Sequence, residues 1–195
     1  MLTLLRHGRT AANASGLLQG RIDNPLDDHG LAQAVAAANV LSAVDVVIAS
    51  PLIRAQATAS LVASANNIEV QTDDRFIELD YGEYDALPLR NIPPEAWKRW
   101  QTDPDFAPPG GERPRDLHRR VTEALEELSE VASERHVVVV SHMSPIKVAV
   151  QWALGVESYQ MSRMTLAPAA ICRIDFRGTR PALSAFNDVG HLANI

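Results

Sequence analysis

The 195-residue sequence has a single cysteine, Cys172, and one thiol cannot close an internal disulfide. A reducing cytoplasm is the simpler setting for such a chain. No apolar run approaches the roughly 18 residues of a membrane helix, and Arg6 arrives too early for a secretory leader. Positive charge is in deficit: 18 Lys and Arg stand against 24 Asp and Glu, a formal charge of −6. Aromatic residues make up only 5%, and no basic stripe is interleaved with them, so nucleic acid is a poor partner. Repeats, charge blocks and low-complexity tracts are missing, and neither an HExxH nor a paired CxxC motif offers a metal site. What is present is an ordinary composition, 46% hydrophobic and 22% charged, which argues against disorder. The length suits one domain over residues 1–195.

Short β-branched runs alternate with longer helical stretches. Leu2–Leu5, Asp45–Ala49, Ile68–Gln71 and Val137–Ser141 read as strands. The last is wholly apolar, as a central strand covered on both faces would be. Helices are predicted over Asp28–Ser42 behind an Asp27 cap, and from a Ser50-Pro51 start to Ala65. Two more cover Arg115–Ser133, with Leu117, Val121, Leu125, Leu128 and Ala132 on one face, and Pro145–Leu154. Ala169–Phe176 and Ala182–Asn187 read as an edge hairpin turning around Gly178. The order predicts a three-layer α/β/α fold with a mostly parallel central sheet. Pro88–Pro114 differs, with seven prolines, Trp97 and Trp100 three apart, and Gly110-Gly111. It reads as a small lid-like insertion at about 88–114, too broken by proline for a core element.

In open parallel sheets ligands sit beyond the carboxyl ends of the strands. Those ends carry Arg6-His7-Gly8, then Ser50 with Arg54 in the helix behind it, then Ser141-His142. Two arginines and two histidines brought to one sheet edge make a compact anion site, and a helix start behind Ser50 adds backbone donors. Each residue alone has a bland reading, the strand-end histidine as a structural hydrogen-bonding group and the arginine as a solvated side chain. Their coincidence at three separate strand ends favours a site.

The motifs, in order, resemble the histidine phosphatase (phosphoglycerate mutase-like) superfamily across nearly the whole chain. LLRHGRTAAN resembles its RHG signature, LLQGRIDNPLDDHGLAQA the segment after it, and SPLIRAQATA its S-x-x-x-R-A-x-x-T-A helix. FIELDYGEYDAL, PPGGE, VVVVSHMSPIK and FNDVGHL are similar to the remaining family segments. The SHMSPIK and FNDVGHL stretches look most like the branch of α-ribazole-phosphate phosphatases and the phosphatase domains fused to bacterial ribonuclease H. The sequence departs from the family pattern at Arg9, Met143, Tyr84, Asp85-Ala86 and Arg113, which bears on substrate preference.

The resemblance implies a metal-independent phosphomonoesterase, without cofactor, acting on a small phosphorylated metabolite through a phosphohistidine. His7 would be the nucleophile, and Arg6, Arg54 and His142 would hold the phosphoryl oxygens. Glu78 would be the general acid. Asn13, Gln19, the backbone N–H of Gly20 and that of Met143 match positions that contact phosphate or substrate. Positive charge around His7 favours the neutral imidazole that attack needs. A phosphoglycerate mutase is the alternative within this chemistry, but it calls for a longer insertion with more basic contacts than Lys98, Arg99 and Arg113. A non-catalytic phosphate-binding protein is the alternative from another class; His7, Arg54, Glu78 and His142 are all retained. A homodimer is left open.

Overall fold

The computed structural model describes residues 1–156, 163–177 and 180–195. Its elements run β1 (Leu2–Arg6), α1 (Ala11–Ala14), α2 (Asp28–Val40), β2 (Val46–Ala49), α3 (Ile53–Asn66) and β3 (Val70–Thr72). They continue with α4 (Pro94–Thr102), α5 (Pro114–Glu134), β4 (Val137–Ser141), α6 (Met143–Ala153), β5 (Ile171–Arg177) and β6 (Arg180–Asp188). The six strands lie in the order β3-β2-β4-β1-β5-β6. The first four of that order pair in parallel, while β5 runs antiparallel to β1, and β6 to β5.

The pleat of β4 explains the layers. Its residues are buried throughout, and successive side chains face opposite sides of the sheet. Val137 and Val139 join Leu117, Val121 and Leu125 of α5 and Ile146 of α6 on one face. Val138 and Val140 join Ala37 of α2 and Ala55, Ala59 and Val62 of α3 on the other. Alanines on α2 and α3 let those helices sit close to the strands. Cys172 is fully buried in the first of these clusters, as a packed thiol. Among the described residues no helix is long and apolar enough to cross a membrane.

Three expectations are corrected. Ser50 does not cap the following helix: α3 begins at Ile53 behind Leu52, whose side chain makes no capping bond. The carboxylate of Asp23 takes the Ile53 N–H instead, at 2.7 Å. The next helix, α6, begins at Met143, two residues before the expected Pro145, which puts His142 in its N-cap position. The 88–114 stretch joins neither sheet-face cluster, as expected of a segment outside the core, but its prolines do not prevent a helix. Pro93 and Pro94 stand at the cap and first position of α4, where a missing N–H costs little. Trp100 of α4 packs with Leu18, Ile92, Ala96 and Phe106 in a small cluster of its own. The closing strands pair as expected; the turn expected around Gly178 lies outside the described residues.

Candidate active site

The end of β1 is clamped from both sides. The His7 N–H donates to Ser141 O on β4 at 3.0 Å, and the His7 carbonyl accepts from Ala169 N, just before β5, at 3.0 Å. Gly8 N donates to Thr58 Oγ1 of α3, whose hydroxyl donates to Arg54 O. Gly8 also lies against Gly30 of α2, where an added Cβ would stand 2.2 Å from the Gly30 carbonyl oxygen. Only glycine fits there, which gives the third letter of RHG a packing reason. The consequence for His7 is a fixed ring. Its Nδ1 lies 2.7 Å from Gly8 O. A carbonyl only accepts, so Nδ1 carries the proton and Nε2 the lone pair. Burial, then the Arg6 and Arg54 charges, hold the His7 imidazole well below its usual titration range. The imidazole is neutral as well as fixed.

Around it stand donors without partners. Arg54 is fully buried and Arg6 nearly so. Arg6 donates to Leu166 O, and Arg54 to Gly20 O and Ile22 O, all backbone carbonyls that leave the positive charge unneutralised. The Nε of each guanidinium, Nδ1 of His142 and Nε2 of Gln19 are buried with no hydrogen-bond partner. Orphaned buried polar atoms are costly, and those of Arg6 and Gln19, which line one cleft with His7, can be met by an oxyanion. Burial lowers the Arg6 pKa to about 10, opposed by the nearby Glu78 carboxylate. His142 lies with its ring centroid 5.1 Å from that of His7. Its Nε2 is 2.7 Å from the Ser50 hydroxyl, and burial together with His7 and the two arginines pushes it well below the usual range. Ser50, expected as a helix cap, therefore serves His142.

Glu78 is 3% exposed. Its Oε1 accepts from Leu79 N at 2.7 Å, and the Ser144 N–H in the first turn of α6 points at both carboxylate oxygens, at 3.3 and 3.4 Å. The Glu78 backbone carbonyl accepts from Arg120 of α5, which also grips Glu112 through two nitrogens at 2.8 and 3.0 Å. The helix terminus that borders the site is thus that of α6, not the one behind Ser50.

Part of this set borders a cleft of about 420 Å³, while Arg54 and His142 are fully buried and are not among its lining residues. Arg6, His7, Asn13, Gln19, Glu78 and Met143 all line it. Thr10 holds Gln19 by its amide oxygen, at 2.8 Å, which leaves the amide nitrogen for the cleft. Met143 is the first residue of α6, where a helix leaves its N–H without an internal partner. Gly20 is the correction: its N–H is spent on Asp85 Oδ1 at 2.7 Å, and its carbonyl accepts from Arg54. Arg9 turns from the cleft to an ion pair with Asp27 at 2.8 Å. Asp73 and Asp80 pair with Arg75 and Arg21. Among the described residues no three His, Cys, Asp or Glu side chains gather as a metal site would need. Sequence reasoning missed Ser50 as the partner of His142, Arg120 behind Glu78, and Lys147 in the cleft wall; only Ser50, at a strand end, carried a visible signal.

A neutral, tautomer-fixed histidine among buried unpaired donors, at the carboxyl edge of a mostly parallel sheet, defines a phosphoryl-binding α/β domain. The chain belongs to the histidine phosphatase superfamily (branch 1), whose family model matches residues 2–189. Phosphoserine phosphatase 1 of Hydrogenobacter thermophilus is 36% identical over 202 residues, covering 100% of this chain and 95% of that protein. A bifunctional protein of Mycobacterium tuberculosis is 34% identical over 181 residues, 90% of this chain and 50% of its own length. The chain thus spans about half the length of the first curated relatives it matches. A solved mycobacterial glucosyl-3-phosphoglycerate phosphatase complexed with VO3 superposes with a TM-score of 0.85 at 31% identity, covering 95% of this chain and 98% of that one. Phosphoserine phosphatase from Entamoeba histolytica with 3-phosphoglyceric acid gives 0.89 at 27% identity, with 98% of each chain covered.

Proposed function

We propose that the domain is a metal-independent, cytoplasmic phosphomonoesterase that hydrolyses a small phosphorylated metabolite through a phosphohistidine. One observation carries the reading: the buried, tautomer-fixed His7 lies beside His142 and under the charges of Arg6 and Arg54, whose printed side-chain partners are backbone carbonyls only. His7 Nε2 attacks phosphorus while the ester P–O bond breaks, and Glu78 gives its proton to the departing alkoxide. Glu78, now a carboxylate, takes a proton from water; the hydroxyl attacks phosphorus, the P–N bond breaks and inorganic phosphate leaves. Arg6, Arg54 and His142 meet the charge that spreads over the equatorial oxygens during both transfers. Phosphatase names among the relatives support the same class. Hydrolysis is favoured over a mutase because Arg99 and Arg113 are committed to Asp103 and Asp116, at 3.0 and 2.6 Å. Neither is available to hold a bisphosphate.

Brief incubation with a phosphomonoester, followed by a quench that avoids acid, is expected to leave phosphate on the peptide holding Arg6-His7-Gly8. The label should be acid-labile and alkali-stable, as a phosphoramidate is, and the rate should be unchanged by EDTA. A label on serine or aspartate, or full activity in His7→Ala, overturns the reading.

A further inference from the structure

We infer that Lys147 is the recognition point for a carboxylate on the leaving group of the phosphomonoester; this rests on the function proposed above. Lys147 lines the cleft and is 6% exposed. Lysine is almost never this buried without a partner. Yet among the described residues no carboxylate forms an ion pair with its ammonium and no hydrogen bond satisfies it. Glu78 is close enough to favour the charged form, against burial and the Arg6 charge, but the two do not pair. The Glu78 carboxylate is already held by the N–H groups of Leu79 and Ser144. The stem is buried but the ammonium itself is not among the buried unpartnered atoms, so it reaches the cleft, and an unpaired cation in a cleft wall marks a place where an anion arrives from outside.

The helix fixes where that anion must sit. Lys147 follows Ser144 by three residues, so both lie on one face of α6, about 4.5 Å apart along its axis. Helical side chains lean toward the N-terminus. The Lys147 stem therefore reaches back over Ser144, toward the end of α6 where Glu78 would protonate the ester oxygen. A group bound by Lys147 belongs to the alcohol being released, not to the phosphoryl group.

Its chemistry follows from the count of charges. One ammonium balances one carboxylate. A second phosphate carries nearly two charges and would be half neutralised by a single ammonium. The nearby arginines offer no help: Arg9, Arg21 and Arg99 are engaged by Asp27, by Asp80 with Glu112, and by Asp103. The remaining wall is apolar, with Leu17, Leu18, Leu89 and Trp97. It suits a carbon skeleton between the two anionic ends.

Calorimetric titration in a His7→Ala background separates recognition from turnover. The probes are a matched set: propyl phosphate, its 3-carboxylate counterpart (3-phosphooxypropanoate) and propane-1,3-diyl bisphosphate. The carboxylate is expected to bind about 10- to 100-fold more tightly than propyl phosphate, as one charge-assisted hydrogen bond allows. Lys147→Met should bring that ratio close to one, and Lys147→Arg should keep most of it. An unchanged ratio in Lys147→Met, no preference in the parent, or a bisphosphate that outbinds the carboxylate overturns the proposal. Hydrolysis of p-nitrophenyl phosphate by the unmodified chain reports on the phosphomonoesterase reading separately. If Lys147→Met in the active protein instead moves the acidic limb of the rate profile equally for propyl phosphate and its carboxylate, the lysine acts on Glu78, and the proposal fails.

Discussion

Glu78 borders the cleft and Ser50 touches only His142 among the site side chains, so on the proposed mechanism their substitutions should leave different signatures. Glu78 is placed for the leaving oxygen, so its proton is worth most where the alkoxide leaves poorly. Glu78→Gln keeps shape and hydrogen bonding, and is expected to lose on the order of 10²–10⁴ in kcat on alkyl phosphates. The loss on p-nitrophenyl phosphate, whose leaving group needs little help, should be clearly smaller. Equal losses on both substrates would remove Glu78 from that role. Ser50 acts one step back, as a positioning residue. Its hydroxyl lies 2.7 Å from His142 Nε2, and with the hydroxyl as donor the ring proton stays on Nδ1, which has no other partner. Ser50→Ala frees the ring to adopt the other tautomer and should cost about 10-fold in kcat, less than the 10²–10³ of deleting a donor outright. Unlike Glu78→Gln, it should cost the same on both substrates, and Ser50→Thr should recover the rate. Nitrogen chemical shifts of His142 report the tautomer directly; an unaltered tautomer in Ser50→Ala refutes the assignment.

Among the elements, the tightest joint is between the loop after β1 and α2. A Cβ on Gly30 would lie 1.9 Å from Arg9 O, which no side-chain adjustment relieves. Gly30→Ala is expected to lower stability by about 1–3 kcal/mol or more, read as a lower urea midpoint at constant m. It should also reduce kcat/KM, because the strain falls one residue from Gly8. An unchanged midpoint would mean that α2 moves freely against β1. This joint also shows how far the sequence could be read. That His7, Arg54 and His142 meet follows from strand–helix alternation, since parallel strands end on one edge. Local patterning has no access to what crosses between elements. Ser50-Pro51 has the pattern of a helix start, yet Asp23, thirty residues before Ile53, supplies the cap, and the serine is drawn to His142 at the N-cap of α6. The prolines of 88–114 pointed to an irregular lid, and two of them start a helix because the first turn has no use for their missing N–H. Gly20 matched a phosphate contact by position, until Asp85 reached its N–H from 65 residues away.

For the whole molecule, the histidines that keep the site neutral set its response to acid. Burial lowers His7 and His142 well below their usual range, while the unfolded chain takes up protons at about pH 6.5. Below that pH the unfolded state binds more protons than the folded one, so stability falls as pH falls. Each histidine contributes about 1.4 kcal/mol per pH unit until its folded pKa is reached. His118, His136 and His191 are lowered in the same direction. A urea midpoint clearly lower at pH 5.5 than at pH 7.5 is expected, and a flat profile would show that the rings are protonated in the folded state. The place of β1 in the sheet has a further consequence, for synthesis. Leu2 shares its register with Val137, and the other neighbour of β1 is β5, later still. On a ribosome adding roughly 5–20 residues per second, the apolar Leu2–Leu5 run waits on the order of ten seconds for either neighbour to emerge. Until then no parallel partner shields it, which makes it a segment that a chaperone would hold. His7, at the end of that strand, is made long before the strands that hold it in place.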